Sequence, residues 1–458
     1  MKTRRPAGIG ILGLVSALLL PAVHARPTPE QIAQLGGAKL SCVGAEKAGS
    51  PGGVAAYTGQ WLETWPGLKD PKGYDPGPYA AEKPLFTITA ENSAQYAERL
   101  SEGQKALLKR YPQTFRMPVY PSHRDFRFPD AGCAATRQNA ASAALSKNGL
   151  ALANAVGGGV PFPFASDGLQ AIWNVLATRH VWNETATIDI ADVFGNGRIA
   201  WGKRKYMTLA PSADPRGDGK VVDNVGAYFH DVTLLPLRDK GTIGVGFQPV
   251  DFSEGSTRVW AYNPGTRRLR QAPDIAFDYA VPPSGLRTVD DDHLFNGSPE
   301  RYDWKLVGKR ELYIPYHNFR INDPALKYST LLTPGSINPE YMRYELHRVW
   351  VIEARLKTGV RHAYARRVIY ADEDTWLAHW ADHYDARGAL WRTAFVNYRY
   401  APDAQAFHRG VSVYHDLNAD AYEAGYLVNE AGKDWWRLNR TDLNARMFSP
   451  DAATRSGH

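Results

Sequence analysis

One stretch of the chain, RYELHRVWVIEARL at residues 343–356, carries the pattern that decides the fold. Apolar and polar side chains alternate along it. One face holds Tyr344, Leu346, Trp350, Ile352, Ala354 and Leu356, interrupted by Arg348; the other holds Arg343, Glu345, His347, Glu353 and Arg355, with Val349 and Val351. A period of two is typical of a β-strand. We therefore predict a long antiparallel strand with one dry face and one largely wet face.

Further strands are predicted on both sides of this one. Turn residues at 357–359, 372–374 and 385–388 separate alternating segments at 361–370, 376–384 and 390–400. Earlier in the chain, Gly195-Asn196-Gly197 and Asn263-Pro264-Gly265 are hairpin signals. Strands joined by short turns form a meander. The predicted fold class is mainly β with α (α+β): a large curved antiparallel half-barrel sheet lidded by helices.

The N-terminal region has a different composition. We divide the chain into a signal peptide at 1–25, an N-terminal arm with helices at 26–165 and a half-barrel domain at 166–458. Helices are predicted from Thr89 to Tyr111, at 134–145 and from Ser166. The rest of the arm is irregular and rich in turn residues, so it should wrap over another surface. The aromatic residues expected to pack onto the half-barrel are Trp61, Trp65, Tyr74, Tyr79 and Phe86.

The first 25 residues have the pattern of a secretory signal. Lys2, Arg4 and Arg5 precede an apolar run at 9–20, and small residues lead to predicted cleavage after Ala25. We expect a periplasmic protein that can associate peripherally with the outer membrane. The net charge is +7, but basic and acidic residues are interleaved, which argues against nucleic acid as a partner.

The chain contains two cysteines, Cys42 and Cys133. In an oxidising compartment a pair is most simply a disulfide, with two free buried thiols as the alternative. We predict that a Cys42–Cys133 bond pins the arm near the start of the helical segment.

Motifs for catalysis are weak. The sequence has no G-x-S-x-G, H-E-x-x-H or C-x-x-C motif. The run 290–293 (DDDH) could hold a cation, but an acidic loop is favoured because neighbouring extended residues point to opposite sides. Residues 195–200 match a dinucleotide fingerprint by letters only, and a hairpin turn is favoured. Asp372 and Asp374 are interpreted as turn residues rather than paired catalytic carboxylates. We predict no catalytic residue, no cofactor and no metal, and therefore no enzyme.

Large apolar side chains recur at period two, and they are the candidate ligand contacts. These residues are Trp260, Tyr262, Trp350, Ile352, Trp376 and Trp380. Ordinary core packing is the alternative for each of them. A wide sheet with few helices leaves one apolar surface free for acyl or isoprenoid chains.

Several segments resemble one bacterial family. They include PLFTIT at 84–89, FRMPVYPSHRD at 115–125, GLQAIWN at 168–174, FNGSPERYDWKLVGK at 295–309 and YMRYELHRVW at 341–350. These segments are similar to the family called domain of unknown function thirteen-twenty-nine. Its members look like enlarged relatives of periplasmic lipoprotein-sorting carriers, which have a half-barrel and an apolar cavity.

The resemblance implies a function in binding. We expect a monomeric carrier for a lipid-like ligand, a lipid or a lipoprotein acyl chain, working with an inner-membrane exporter or an outer-membrane protein. Two alternatives stay open at this point. One is a scaffold of an envelope export complex, and the other is a periplasmic enzyme acting on glycans or lipids.

Overall fold

Two meanders of antiparallel strands meet side by side in one curved sheet that does not close. The computed structural model describes residues 26–178, 180–271, 277–430 and 436–456. The predicted signal peptide at 1–25 lies outside these residues. The mainly β architecture confirms the predicted fold class.

Within the described residues the strands are β1 (Phe86–Ile88), β2 (Met117–Val119), β3 (Ala144–Ser146), β4 (Ala151–Ala153), β5 (Asn183–Phe194), β6 (Ile199–Leu209), β7 (Val225–Leu235), β8 (Ile243–Pro249), β9 (Arg258–Asn263), β10 (Arg268–Gln271), β11 (Tyr302–Pro315), β12 (Leu332–Thr333), β13 (Ser336–Ile337), β14 (Tyr344–Leu356), β15 (Arg366–Asp372), β16 (Ala378–Tyr384), β17 (Leu390–Ala401), β18 (Ala406–Asp416), β19 (Ala421–Leu427) and β20 (Arg437–Leu438). The α-helices are α1 (Pro29–Ala33), α2 (Glu102–Arg110), α3 (Asp130–Ser142), α4 (Gly168–Ala177), α5 (Tyr328–Leu331) and α6 (Pro450–Ser456).

The order of strands joins a later meander to an earlier one. The main path runs β1-β2-β14-β15-β16-β17-β18-β19-β5-β6-β7-β8-β9-β10, with β11 paired to β14 and β20 paired to β5. The predicted hairpin at 195–197 joins β5 to β6, and the one at 263–265 joins β9 to β10. Of the pairings in the described residues, β2 with β14 is parallel and the others are antiparallel. The seam between β19 and β5 therefore makes one continuous surface from two meanders.

The predicted strand at 343–356 is β14, but the expected wet face is wrong over its first half. Glu345 and His347 are fully buried. The arm covers this face and supplies the missing polar partners, because the backbone N–H of His123 donates to Glu345. The alternating pattern correctly predicted the strand. Whether its polar face is exposed to solvent depends on the arm, which is distant in sequence.

The helices differ from their predicted starts. Residues 93–99 form a 3₁₀ helix, and α2 begins later, where Ser101 and Gln104 form a capping box. The predicted start at Thr89 is therefore wrong, and the backbone N–H of Thr89 donates to the Asn92 side chain. Helix α4 begins at Gly168, two residues after the predicted start at Ser166, with Asp167 as its N-cap. No helix in the described part of the chain is long and apolar enough to cross a membrane.

The arm packs against the sheet and also extends it. Strand β2 joins β14 through the pairing of Val119 with Tyr344. Trp65 of the arm is buried in the main core, and Trp61 and Phe86 pack against that core. The predicted disulfide is confirmed: Cys42 and Cys133 are bonded, and their Cα atoms lie 5.3 Å apart.

Candidate functional site

The candidate site is a cavity of about 440 Å³ between the sheet and the segment that connects β10 to β11. We call residues 277–298 of that segment the lid and the sheet face beneath it the inner face. Strands β5 to β9 form the floor. The apolar side chains that line the cavity are Ile188, Ile190, Tyr206, Phe229, Val259 and Ala261 from the floor and Phe277, Tyr279, Val281, Pro282 and Val289 from the lid.

Strand β8 carries two glycines on the inner face, and Gly244 lines the cavity. A Cβ atom at Gly244 would lie 2.8 Å from Oδ1 of Asp231, and one at Gly246 would lie 2.7 Å from the Phe229 ring. Both distances are too short for any side chain without a local shift. The neighbouring strand β9 adds Ala261 beside Gly244. The side chains of Asp231 and Phe229 lie against the two glycines, so a larger residue at either position would have to displace them.

The six predicted ligand contacts lie outside the lining of this cavity. Trp260 and Tyr262 point to the opposite face of β9, where they pack with α6 through Ala453. Trp350 stacks on Trp376 with ring centroids 5.4 Å apart. Ile352 and Trp380 are fully buried in the main core. Their role in ligand binding stays a prediction, and their position in the structure is that of core residues.

Sequence reasoning missed the lining because it selected large side chains. Large aromatic residues fill the main core, whereas the cavity lining includes the small residues Gly244 and Ala261. The available signal was the alternation of β8, in which Gly244 and Gly246 occur at period two between Ile243, Val245 and Phe247. Glycine in a strand interior often marks a site where a ligand or another part of the chain approaches closely.

The lid is held down by buried ion pairs. Nε of Arg287 donates to Glu423 on β19 at 2.7 Å, and Arg409 on β18 donates to Asp292. Burial alone would raise the pKa of Asp292, but Arg409 outweighs burial and holds that pKa well below its usual range. A carboxylate–guanidinium pair buried in this way is costly to break from one side.

The acidic run at 290–292 also holds the lid against the sheet. Nη2 of Arg367 donates to both Asp290 and Asp291, each at 2.8 Å. His362 also contacts Asp290 at 2.9 Å. The favoured interpretation of 290–293 as an acidic loop agrees with this arrangement, because arginines occupy the oxygens that a cation would need.

A second cavity of about 200 Å³ adjoins the first. The two share Phe229, Asp292 and Arg409 in their walls. His180 faces the second cavity, and burial lowers the pKa of His180 to about 4, so its ring is neutral at pH 7. The enclosed space beneath the lid therefore continues past Arg409 toward the main core.

A buried polar cluster lies elsewhere, where the arm meets β14 and the β15–β16 turn. His347, Asp372 and Asp374 each offer one atom that could bind a metal ion, and these three atoms lie within 4.8 Å of one another. Both oxygens of Asp374 accept hydrogen bonds from Arg124, at 2.7 Å each. Burial lowers the pKa of His347, but Asp372 and Glu345 outweigh burial and raise it to about 9. An imidazolium lies between two of the carboxylates, Asp372 and Glu345, and the Arg124 guanidinium binds the third, Asp374.

A pair of carboxylates also lies beneath the lid. Asp192 and Glu423 are directly opposed on β5 and β19. Burial, followed by the nearby charge of Glu423, raises the pKa of Asp192 to about 7. Glu423 is occupied by Arg287, and both side chains are buried. Glycoside-cleaving enzymes place their two carboxylates on either side of a substrate, which these covered positions do not allow.

Comparison with known proteins adds one family and several structural neighbours. The sequence profile described as "Protein of unknown function (DUF1329)" matches residues 87–454. An uncharacterized protein of Pseudomonas aeruginosa is 39% identical over 426 residues, which is 92% of each chain. A crystal structure of a DUF1329 family protein from Desulfovibrio piger covers 60% of this chain and 92% of its own, at 16% identity and a TM-score of 0.38. A LolA superfamily protein from Nitrosomonas europaea covers 63% of this chain and 100% of its own, at 11% identity and a TM-score of 0.36.

Proposed function

The chain belongs to the family described as protein of unknown function (DUF1329), and we propose that it binds a hydrophobic ligand beneath the lid and carries it through the periplasm. The observation that supports this proposal is the cavity of about 440 Å³ with apolar side chains from strands β5, β6, β7 and β9 and from the lid. Small-molecule sites have volumes of about 300–1,000 Å³ and mostly apolar walls. The cavity fits one chain of an amphiphile.

Binding energy in such a cavity comes from apolar area. Each methylene group moved out of water contributes about 0.8 kcal/mol. No positioned nucleophile or open pair of carboxylates is needed for that activity, and the carboxylates around this cavity are covered or paired with arginines. We therefore prefer a carrier to an enzyme.

The proposed compartment is the periplasm. The bonded pair Cys42–Cys133 is the form expected in an oxidising compartment. We propose that the ligand is a lipid or a lipoprotein acyl chain, and that an inner-membrane exporter or an outer-membrane protein is the partner. We propose that the ligand enters when the lid opens, a movement that has to break the Arg287–Glu423 and Arg409–Asp292 pairs.

The proposal can be tested by placing a larger side chain on the floor of the cavity. In Ala261→Trp an indole would occupy the space beside Gly244, so binding of the apolar fluorescent probe N-phenyl-1-naphthylamine should fall at least about tenfold, as when one to two methylenes of contact are lost. Fluorescence titration of the purified mature protein measures this affinity. Ala419→Trp is the matched control, because Ala419 is exposed in the turn between β18 and β19 and should leave binding unchanged.

Two results would contradict the proposal. One is equal probe affinity in Ala261→Trp and the unmodified protein, which would place binding elsewhere. The other is absence of probe binding together with absence of any lipid in a solvent extract of the purified protein analysed by mass spectrometry. Circular dichroism of both variants checks that the sheet is intact.

A further inference from the structure

Charged side chains on the wall of the cavity fall into two groups. Arg287 and Arg409 each bind a carboxylate, Glu423 and Asp292. Arg204 has no hydrogen bond and no ion pair with any residue that the structure describes, although it lines the same cavity. Because the other cavity arginines are neutralised by the fold, Arg204 is the exception that needs explaining.

The position of Arg204 is fixed by strand register. On β6 it pairs with Thr233 of β7, which makes Asp231 its diagonal neighbour on the inner face. Diagonal neighbours lie about 7–8 Å apart, within reach of long side chains. The two form no ion pair within the described residues, although both line the cavity and their charges interact.

The free edge of the sheet carries more positive charge on the same face. Arg270 of β10 pairs with Ala261, which lines the cavity, and Arg268 lies two residues away. Both arginines are exposed, whereas Leu269 between them packs toward α6. Positive potential on this side attracts anions into the cavity.

Arg204 is half-buried, and a guanidinium beside apolar walls gains from a partner that supplies negative charge. Guanidinium groups bind carboxylate and phosphate with paired hydrogen bonds. Burial disfavours the charged form of Asp231 and raises its pKa, although Arg204 acts in the other direction.

We infer that the ligand is a single-chain amphiphile with an anionic headgroup, and that Arg204 binds that headgroup while the chain lies along Phe229 and Val259. This inference rests on the proposed function, since it assumes that the cavity holds a hydrophobic chain. It adds the chemical class of the ligand: a carboxylate or phosphate at one end of one alkyl chain.

The test compares ligands that share a chain and differ in the headgroup. Dodecanoate, dodecyl phosphate, dodecanol and dodecyltrimethylammonium displace N-phenyl-1-naphthylamine from the mature protein at constant salt. Hydrogen bonds to charged groups predict that dodecanoate binds about 10- to 100-fold more tightly than dodecanol. Dodecyl phosphate bound as well as dodecanoate indicates a general anion site, and weaker binding indicates a carboxylate site; both agree with the inference.

Arg204→Gln should abolish the preference for dodecanoate while dodecanol still binds, which also shows that the variant is folded. Arg204→Lys keeps the charge and should keep part of the preference. Arg238→Gln is the matched control, because Arg238 is exposed in the β7–β8 turn and paired with Asp239.

The outcomes separate the two proposals. Equal binding of dodecanoate and dodecanol to the unmodified protein, or an unchanged preference in Arg204→Gln, overturns the headgroup assignment and leaves the carrier in place. Tighter binding of dodecyltrimethylammonium also overturns it and points to Asp231 instead. Displacement by none of the four ligands contradicts the carrier itself.

Discussion

Arg124 connects the arm to the sheet through a single side chain. Its guanidinium binds Asp374 and Glu373, and it also donates to the backbone carbonyls of Glu46 and Ala55 in the arm. The side chain is almost completely buried. Glu373 is also bound by Arg348 and Lys309, so Asp374 is the carboxylate whose hydrogen bonds come from Arg124.

We expect Arg124→Met to lower the free energy of unfolding by about 3–5 kcal/mol, because it leaves the buried carboxylate of Asp374 without a partner. Urea unfolding followed by tryptophan fluorescence measures the change. Arg127→Met is the control, since Arg127 forms an exposed pair with Asp130 and its loss should cost less than about 1 kcal/mol. A loss in Arg124→Met no larger than in the control would show that the network contributes little to stability.

At the scale of elements, the disulfide restrains the irregular part of the arm. Cys42 lies in a stretch of turns and isolated bridges, while Cys133 lies in the first turn of α3. Their sequence separation is 91 residues, so the bond closes a long loop in the unfolded chain. A loop of this size gives about 4–5 kcal/mol in the chain-entropy account.

Replacing both cysteines, in Cys42→Ala/Cys133→Ala, should therefore lower stability by at most that amount and expose the arm first. Limited proteolysis with mass spectrometry should find the earliest cuts before residue 60 in the variant and slower cuts there in the oxidised protein. The β7–β8 turn serves as an internal reference, because it is remote in sequence from both cysteines. Equal rates at both places would mean that the bond does not restrain the arm.

The elements show which parts of the structure the sequence could predict. Strand β14 and its neighbours followed from alternation, because period two is a local property. The burial of Glu345 could not be predicted in this way. Its hydrogen bond from Arg343 is buried only because the arm covers both side chains. The acidic run within the lid could be recognised in the sequence. Its partners Arg367 and Arg409, however, are 76 to 117 residues away along the chain. Contacts at such separations leave no pattern in one sequence.

At the scale of the whole molecule, the core is unevenly distributed. The main cluster of buried apolar residues runs from Val43 in the arm to Leu427 in β19, so it crosses the predicted boundary at residue 165. Strands β16 and β18 are buried at every position. Strands β7 and β9 are mostly half-buried, and the far part of the sheet has three small clusters of its own.

This distribution predicts a gradient of local stability, with the cavity at its weak end. Regions with few buried contacts open at a lower free energy than the core, and binding sites are drawn from them. In hydrogen–deuterium exchange of the mature protein, peptides from β7, β9 and β10 should exchange at least about tenfold faster than those from β16 to β18, which corresponds to about 1.4 kcal/mol in opening free energy.

Ligand binding should stabilise the less stable part of the sheet and so reduce the difference in exchange rate between the two parts. A ligand that binds the closed form stabilises it by about 2.7 kcal/mol at a hundred times its dissociation constant. Dodecanoate should therefore slow exchange in β7 to β9 and in the lid, and leave β16 to β18 unchanged because their opening does not involve the cavity. Ala261→Trp supplies the matched control, since it should keep the gradient and lose the response to ligand. Uniform exchange across both halves would contradict the view that a rigid half supports a half that opens to admit the ligand.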